Sequence, residues 1–519
     1  MRRLASVILV LVLAAAIPAG LREAPAPAAI ASLRDALDEV VTKPGWQDDR
    51  WSVLAVSLDR GDTLYALTPD QALAPASSLK LMTTAAALRW LGPDYRYTTY
   101  LMTDGTIANG VLTGNVYLYG TGDPTLGTRF APAAAPALKA FADTLLALGV
   151  KEIRGDVVGD GSYFQGASTA EGWELDYLNA WYAPAAGALS VHENLVRLEI
   201  TAGEGAGAPA RIRYIPGGAG ISLQNRAVTG GGTAINVTRQ DYGAPIQVTG
   251  RVSGGTVARA IPVSDPTMYA TAVFRDVLVE KGIVHTGGIR AIEREEDSPV
   301  TGKSSFAPRY DERPAPRVVA VHRSEPLREI LKTINHVSHN FYAEQVARTV
   351  GRVATGEGSL RGSAAAVESL LAEAGADTSK VSIVDGCGLS PLNRVDARSF
   401  VALLDWVAKS PYASEFEGTM AVAGETRRFR RMGGTPAAGN LRAKTGTIDH
   451  VSALAGYVNA ANGEKIAFSI ISNDVPSVGQ AKFIENMIGA QLASFDRAGA
   501  APVARATEAP SVAQAEPRR

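Results

Sequence analysis

A serine and a lysine three residues apart, Ser77 and Lys80 in Pro75-Ala76-Ser77-Ser78-Leu79-Lys80, are the residues of this chain best placed to do chemistry. The run that follows, Leu81-Met82-Thr83-Thr84-Ala85-Ala86-Ala87-Leu88, is rich in Ala and Leu and free of Gly and Pro. That composition predicts a helix with Ser77 in its first turn. A spacing of three on a helix puts both side chains on one face, so the amine lies over the hydroxyl. The unpaired amides of the helix N-terminus point toward whatever that hydroxyl attacks. One turn then supplies a nucleophile, a base and half of an oxyanion hole. Taken alone, the pair equally describes a capping serine with a solvated lysine, so residues elsewhere must decide.

Two companions follow in order. Ser338-His339-Asn340 lies in Asn335-His336-Val337-Ser338-His339-Asn340-Phe341-Tyr342, and Lys444-Thr445-Gly446-Thr447 opens a strand-like run near the C-terminus. S-x-x-K followed by a Ser-x-Asn triplet and K-T-G resembles the motif set of penicillin-binding proteins and class A β-lactamases. Each companion alone would be an ordinary Asx-type turn or strand start, and it is their order that carries weight.

The elements that must position these residues can be read around them. Trp51 to Leu58 and Thr63 to Leu67 read as strands joined at Arg60-Gly61-Asp62, and the nucleophile helix follows directly. At the other end, Val451 to Val458 and Lys465 to Ser472 read as a strand pair around Asn462-Gly463, and Val478 to Phe495 as an amphipathic closing helix. Terminal elements that pair with one another imply a single domain split by an insertion. About half the chain length separates Ser77 from Ser338, far more than one helical lobe needs. From Gly92 to Arg317 the chain is strand-rich and Gly-rich, with strands predicted over Asn115 to Gly120, Glu152 to Gly159, Val196 to Thr201, Ala210 to Ile215, Ala234 to Arg239 and Ile246 to Val252, and one helix over Thr267 to Lys281. Helices are also predicted over Pro326 to Asn335 and Phe341 to Val350, with Ser338 and Asn340 in the bend; a single helix through both fits the sequence as well.

Composition bounds the rest. The 519 residues are 46% hydrophobic, enough for several domains with substantial cores. Lysine and arginine total 51 against 52 acids, which excludes nucleic-acid or membrane-surface binding driven by bulk charge. Arg2-Arg3, an apolar run from Leu4 to Ile17 and an Ala/Pro-rich exit to Ala29 read as a secretory signal peptide, too short for a comfortable membrane span. With no second long apolar segment, the mature protein is expected in the periplasm or cell envelope without a transmembrane anchor. The single cysteine, Cys387, excludes an internal disulfide and a lipid-bearing cysteine at the cleavage site. The six histidines show no metal spacing, so a zinc carboxypeptidase is disfavoured and no metal or cofactor is expected.

The sequence resembles the D-alanyl-D-alanine carboxypeptidase/endopeptidase family, the class C low-molecular-mass penicillin-binding proteins. The resemblance covers most of the mature chain: Pro75-Ala76-Ser77 with Lys80, Gly122-Asp123-Pro124, Gly155-Asp156 before Gly159-Asp160, Trp173 to Asn194, Asp385-Gly386 with Gly388-Leu389-Ser390, and Lys444 to Gly446 occur in family order. It implies an α/β fold, a β-lactamase/transpeptidase-like domain with an antiparallel sheet flanked by helices, carrying a large β-rich insertion of one or two accessory domains. The expected organisation is 1–29 signal peptide, 30–92 and 318–496 catalytic domain, 93–317 insertion and 497–519 disordered tail. Ser77 is then the nucleophile and Lys80, in its neutral form, the base. Ser338 relays the proton to the leaving amine, and Asn340 bonds the acyl-side amide and steadies Lys80. The resemblance places the oxyanion hole at the backbone N–H groups of Ser77 and Thr447, and the substrate carboxylate against Lys444, Thr445 and Thr447, with Gly446 between them. Trp173, Asp176 and Trp181 match positions that hold a penultimate diamino-acid side chain. Three residues depart from the family pattern: His339 where Asp is usual, Cys387 for Ser, and Pro391 where an Arg often stands, for which Arg394 is near enough to substitute.

The resemblance implies a secreted serine DD-peptidase that acts on peptidoglycan stem peptides and cross-links and is covalently inhibited by β-lactam antibiotics. Two rivals use the same fold. A β-lactamase or esterase would deacylate quickly, and a silent wall-binding scaffold would have lost the chemistry.

Overall fold

The computed structural model describes residues 28–42, 50–130, 136–217, 220–241, 243–300, 315–425 and 429–497. Most of the leader and nearly all of the tail fall outside these ranges. One correction applies at the tail's edge. Arg497, expected to begin it, is tied to Asp62 at 2.8 Å and to Glu464 at 2.6 Å.

A six-stranded antiparallel sheet lies beneath the three motifs. Its order is Ala421–Val422, Arg442–Ile448, Val451–Asn459, Lys465–Asn473, Arg50–Ser57 and Thr63–Leu67, so strands from both ends of the chain pair directly. The two central strands read as near-continuous apolar runs because both faces are covered. Helices Ala28–Val41 and Val478–Ser494 cover one face. On the other face Lys80–Trp90 is buried from Lys80 to Leu88, as its lack of a polar side predicts. It packs among Leu327–His336, Asn340–Thr355, Leu360–Glu373 and Ala397–Ala408. Burial of Leu81, Met82 and Leu88 contributes about 1.5–3 kcal/mol each.

Between Leu327–His336 and Asn340–Thr355 the chain breaks at Val337-Ser338-His339, where Ser338 takes φ 57°. This left-handed residue decides against one continuous helix.

The segment between the first two motifs folds into four further sheets, three-, three-, four- and five-stranded. Three differences from the sequence reading stand out. Glu152 to Gly159, read as one strand, is two, Glu152–Arg154 and Val157–Asp160. A second helix, Pro136–Ala147, packs Leu138, Phe141 and Leu145 against Tyr269, Phe274 and Leu278 of Pro266–Glu280. Arg317–Arg323 pairs with Thr98–Thr103, so that sheet runs past the boundary expected at 317. Among the described residues no helix is long and apolar enough to cross a membrane.

Candidate active site

Ser77 sits in a single 3-10 turn, Ala76–Leu79, that leads directly into Lys80–Trp90. Ser78 closes the turn by donating its hydroxyl to the Pro75 carbonyl at 2.6 Å. Ala76 adopts φ 44°, a conformation a residue with a Cβ keeps only where its surroundings enforce it. Two close approaches enforce it. A Cβ on Gly446 of the neighbouring strand would lie 2.7 Å from the Pro75 carbonyl oxygen, and one on Gly388, at φ +77°, only 1.9 Å from that of Ala76. Glycine at both positions lets the strand and the 385–390 turn pack directly on the nucleophile turn.

The Lys80 side chain is buried, with Nζ 2.8 Å from Ser77 Oγ, 2.7 Å from Asn340 Oδ1 and 2.6 Å from the Cys387 carbonyl oxygen. A neutral amine placed there gives two N–H bonds to the Asn340 and Cys387 oxygens and turns its lone pair to the serine hydroxyl, the arrangement a general base needs. Asn340 is held in turn by donating Nδ2–H to the Tyr182 carbonyl at 2.9 Å. Lys444, also buried, places Nζ 2.9 Å from Ser338 Oγ and 2.6 Å from the Thr445 carbonyl. The five residues expected to act on the scissile bond thus form two hydrogen-bonded clusters, Ser77 with Lys80 and Asn340, and Ser338 with Lys444, joined through the backbone of Ser338-His339-Asn340, although about half the chain lies between Ser77 and Ser338.

The turn behind Lys80 is built around Asp385. Its carboxylate accepts from the Gly388 and Ser390 amides, Asn393 Nδ2 and Trp173 Nε1, at 2.6–3.0 Å. Cys387 is buried, and burial pushes its thiol pKa up. It is the backbone carbonyl of Cys387, invisible in a motif, that meets the lysine.

A cleft of about 580 Å³ opens above this group, lined by Ser77, Ser338, Asn340 and Thr447 together with Tyr177, Trp181, Tyr182, Arg129, His339 and Asp449. Lys444 and Gly446 are buried behind its floor. Thr447 and Ile448 line the cleft; Thr445, expected to meet the substrate carboxylate, lies two residues earlier on the same strand, half-buried and outside the cleft lining. The short strand Ala421–Val422 pairs only with Arg442 and Ala443. The outer edge of Lys444–Ile448 therefore has no strand partner among the described residues, leaving backbone N–H and C=O groups for an extended peptide.

Of the four residues expected to hold a substrate side chain, the structure brings one to the cleft. The Trp181 ring is 51% exposed there and stacks edge-on to Tyr182. Trp173 instead spends its indole N–H on Asp385, a requirement of a half-buried indole, and packs against the core. Asp176 is exposed on the same short helix as Tyr177 and does not line the cleft. Arg394 folds back on its own turn, donating to the carbonyls of Pro391 at 2.5 Å and Asn393 at 2.8 Å. The aromatic wall of Tyr177 and Tyr182 and the pair Arg129–Glu193 were not read from the sequence. A dense run of aromatics after Trp173 was the available signal for the first. The second had none.

The similarity to known proteins extends over most of the chain. A sequence model of the D-Ala-D-Ala carboxypeptidase 3 (S13) family matches residues 33–494. The D-alanyl-D-alanine carboxypeptidase of Actinomadura sp. (strain R39) is 31% identical over 471 residues, 86% of this chain and 82% of that protein. The D-alanyl-D-alanine carboxypeptidase DacB of Haemophilus influenzae is 26% identical over 403 residues, 76% of this chain and 79% of that one. The crystal structure of penicillin binding protein 4 (dacB) from Haemophilus influenzae superposes with a TM-score of 0.71 at 24% identity, covering 87% of this chain and 98% of that one. The fold is shared with that protein, also in its complex with a β-lactam, where the TM-score is 0.69 at 22% identity over 87% of this chain and 98% of that one.

Proposed function

The chain belongs to the D-Ala-D-Ala carboxypeptidase 3 (S13) family, a family of serine hydrolases, and from that membership and the cleft we propose that it cleaves the terminal D-Ala of peptidoglycan stem peptides through an acyl-enzyme on Ser77. The observation that carries the proposal is Lys80 Nζ at 2.8 Å from Ser77 Oγ, with two further oxygens occupying its N–H directions. In the reaction the Ser77 oxygen bonds to the carbonyl carbon, its proton passes to Lys80, and the C–N bond then breaks as the leaving amine takes a proton by way of Ser338. Thr447 receives the terminal carboxylate with its hydroxyl, and the Lys444 ammonium behind the cleft floor attracts that anion through its charge. The free strand edge from Lys444 to Ile448 pairs with the peptide backbone. Water repeats the sequence on the ester.

The same steps on a D-Ala cross-link, where the leaving amine belongs to a second stem peptide, form the endopeptidase arm of the proposal. The Arg2-Arg3 leader supports a location in the cell envelope. Ser77→Ala should abolish both the covalent penicillin adduct in intact-mass spectra and D-Ala release from a defined muropeptide, with an unchanged melting curve. An adduct that survives removes Ser77 as the nucleophile, and rapid turnover of the antibiotic would make the enzyme a β-lactamase instead.

A further inference from the structure

We propose that Glu193 is a positioning residue for the second motif: its carboxylate fixes the His339 ring in the tautomer whose Nδ1 caps the helix beginning at Asn340, and thereby holds Ser338 and Asn340 in the cleft.

His339 is the N-cap of Asn340–Thr355, and its Nδ1 accepts from the Tyr342 amide at a long 3.4 Å. An acceptor Nδ1 requires a neutral ring with its proton on Nε2. Nε2 lies 3.0 Å from Glu193 Oε2 and 3.2 Å from Arg129 Nη2. Arginine only donates, so with the proton on Nε2 the bond goes to Glu193, and Arg129 approaches because it too binds that carboxylate, through Nε at 2.6 Å and Nη2 at 3.3 Å. Burial would raise the Glu193 carboxyl, but His339 and Arg129 hold it down at about 2, so it stays an acceptor across the working pH range. Lys80 and the Tyr342 ring, its centroid 4.3 Å away, are the other groups facing the imidazole.

The backbone shows that this contact is built. His192, Glu193 and Asn194 take φ 51°, 59° and 54°, three consecutive left-handed residues none of which is glycine. Each is disfavoured on its own. The buried Asn194 amide donates to the Ala185 carbonyl at 2.8 Å and Ser190 Oγ at 2.9 Å, and the His192 amide is bonded to the Leu126 carbonyl at 2.8 Å. The segment turns a carboxylate toward a residue 146 positions later in the chain. On the receiving side Ser338, also left-handed, precedes His339, and Asn340 follows it. Loss of the cap therefore loosens the residue that faces Lys444 and the residue that faces Lys80.

The test is a double-mutant cycle read as the penicillin acylation rate, so its rate arm rests on the function proposed above. Glu193→Gln should slow acylation about tenfold, because an amide accepts or donates and no longer dictates the tautomer. His339→Asp supplies a good capping side chain but sets a second carboxylate against Glu193, and should slow acylation at least as much. The double variant should return to within about threefold of the wild type, since the carboxylate introduced at position 339 caps the helix and the amide introduced at position 193 donates to it. A double variant as slow as the product of the two losses, or Glu193→Gln at the wild-type rate, overturns the proposal. A second readout needs no catalysis. In ¹⁵N-histidine NMR, with the resonance assigned through His339→Gln, His339 should show the Nε2–H tautomer in the wild type and a mixture in Glu193→Gln. A pure Nδ1–H ring in the wild type overturns the proposal. If wild-type protein forms no penicillin adduct, the proposed function fails and the ring spectrum still decides the role of Glu193.

Discussion

Gly446→Ala should disable acylation while leaving the protein folded. The added Cβ would lie 2.7 Å from the Pro75 carbonyl oxygen, 3.0 Å from the Ser78 amide nitrogen and 3.1 Å from Ala76 Cβ, where ordinary contact begins at 3.4 Å. The two nearest neighbours are backbone atoms, so no flexible side chain can give way. The strand carrying Thr447 and the turn carrying Ser77 must then separate by about 0.7 Å, the difference between the closest approach and ordinary contact. Those two elements supply the two amides assigned to the oxyanion. Removing one such donor costs roughly 100- to 1000-fold, and a misplacement near 1 Å costs about 100-fold, so a loss of about 10- to 100-fold in acylation is expected. The overpacking itself should cost about 1–3 kcal/mol. The assay is the second-order rate of fluorescent penicillin labelling, run beside D-Ala release from a stem peptide and a thermal melt. Both ligands use the same hole and should slow alike. Gly479→Ala, in helix Val478–Ser494 with its nearest neighbour at 3.6 Å, is the control and should leave both rates unchanged. Wild-type labelling by folded Gly446→Ala, or a loss confined to one ligand, would refute the argument that this close approach sets the hole.

Two further outcomes follow from the geometry. Burial and the neighbouring Asp385 raise the Glu344 carboxyl from an ordinary 4.5 to about 7. Its contribution is thus full below 4.5 and is lost as pH rises through about 7, by roughly 3 kcal/mol, so Glu344→Gln should flatten the fall in Tm between pH 5 and 8, and an unchanged slope would exclude Glu344 as its source. Trp181→Ala should lower kcat/KM for a stem peptide about tenfold with Tm almost unmoved, since half the ring is exposed in the cleft; wild-type peptide turnover would remove Trp181 from substrate binding.

Much of the site was legible because its signals are local. Ser77 and Lys80 are related by helical spacing, and the strands around Gly61 and Gly463 announce themselves by apolar runs bounded by turn residues within a few positions. Elsewhere local signals misled. Trp173 and Trp181 look alike in sequence, yet one indole is consumed by Asp385, 212 residues away, and the other faces the cleft. Arg394 is close in number to the family's arginine position, but carbonyls of its own turn capture its guanidinium. Helix Pro136–Ala147 went unread because an Ala/Pro run precedes it and blurs its start.

By itself, the sequence determined the reactive residue types, their order and the secondary structure that presents each, since these depend on side-chain identity and on neighbours a turn or a strand away. Only the tertiary structure decided which of them meet. One acceptor that holds Lys80 is a backbone carbonyl, which every residue possesses and no motif marks. The closeness of strand and nucleophile turn rests on the absence of a side chain at Gly446 and Gly388. The partner of His339 comes from three left-handed residues 146 positions earlier in the chain. Pairings of this kind are set by how packed elements approach one another, a distance that spacing along the chain does not encode.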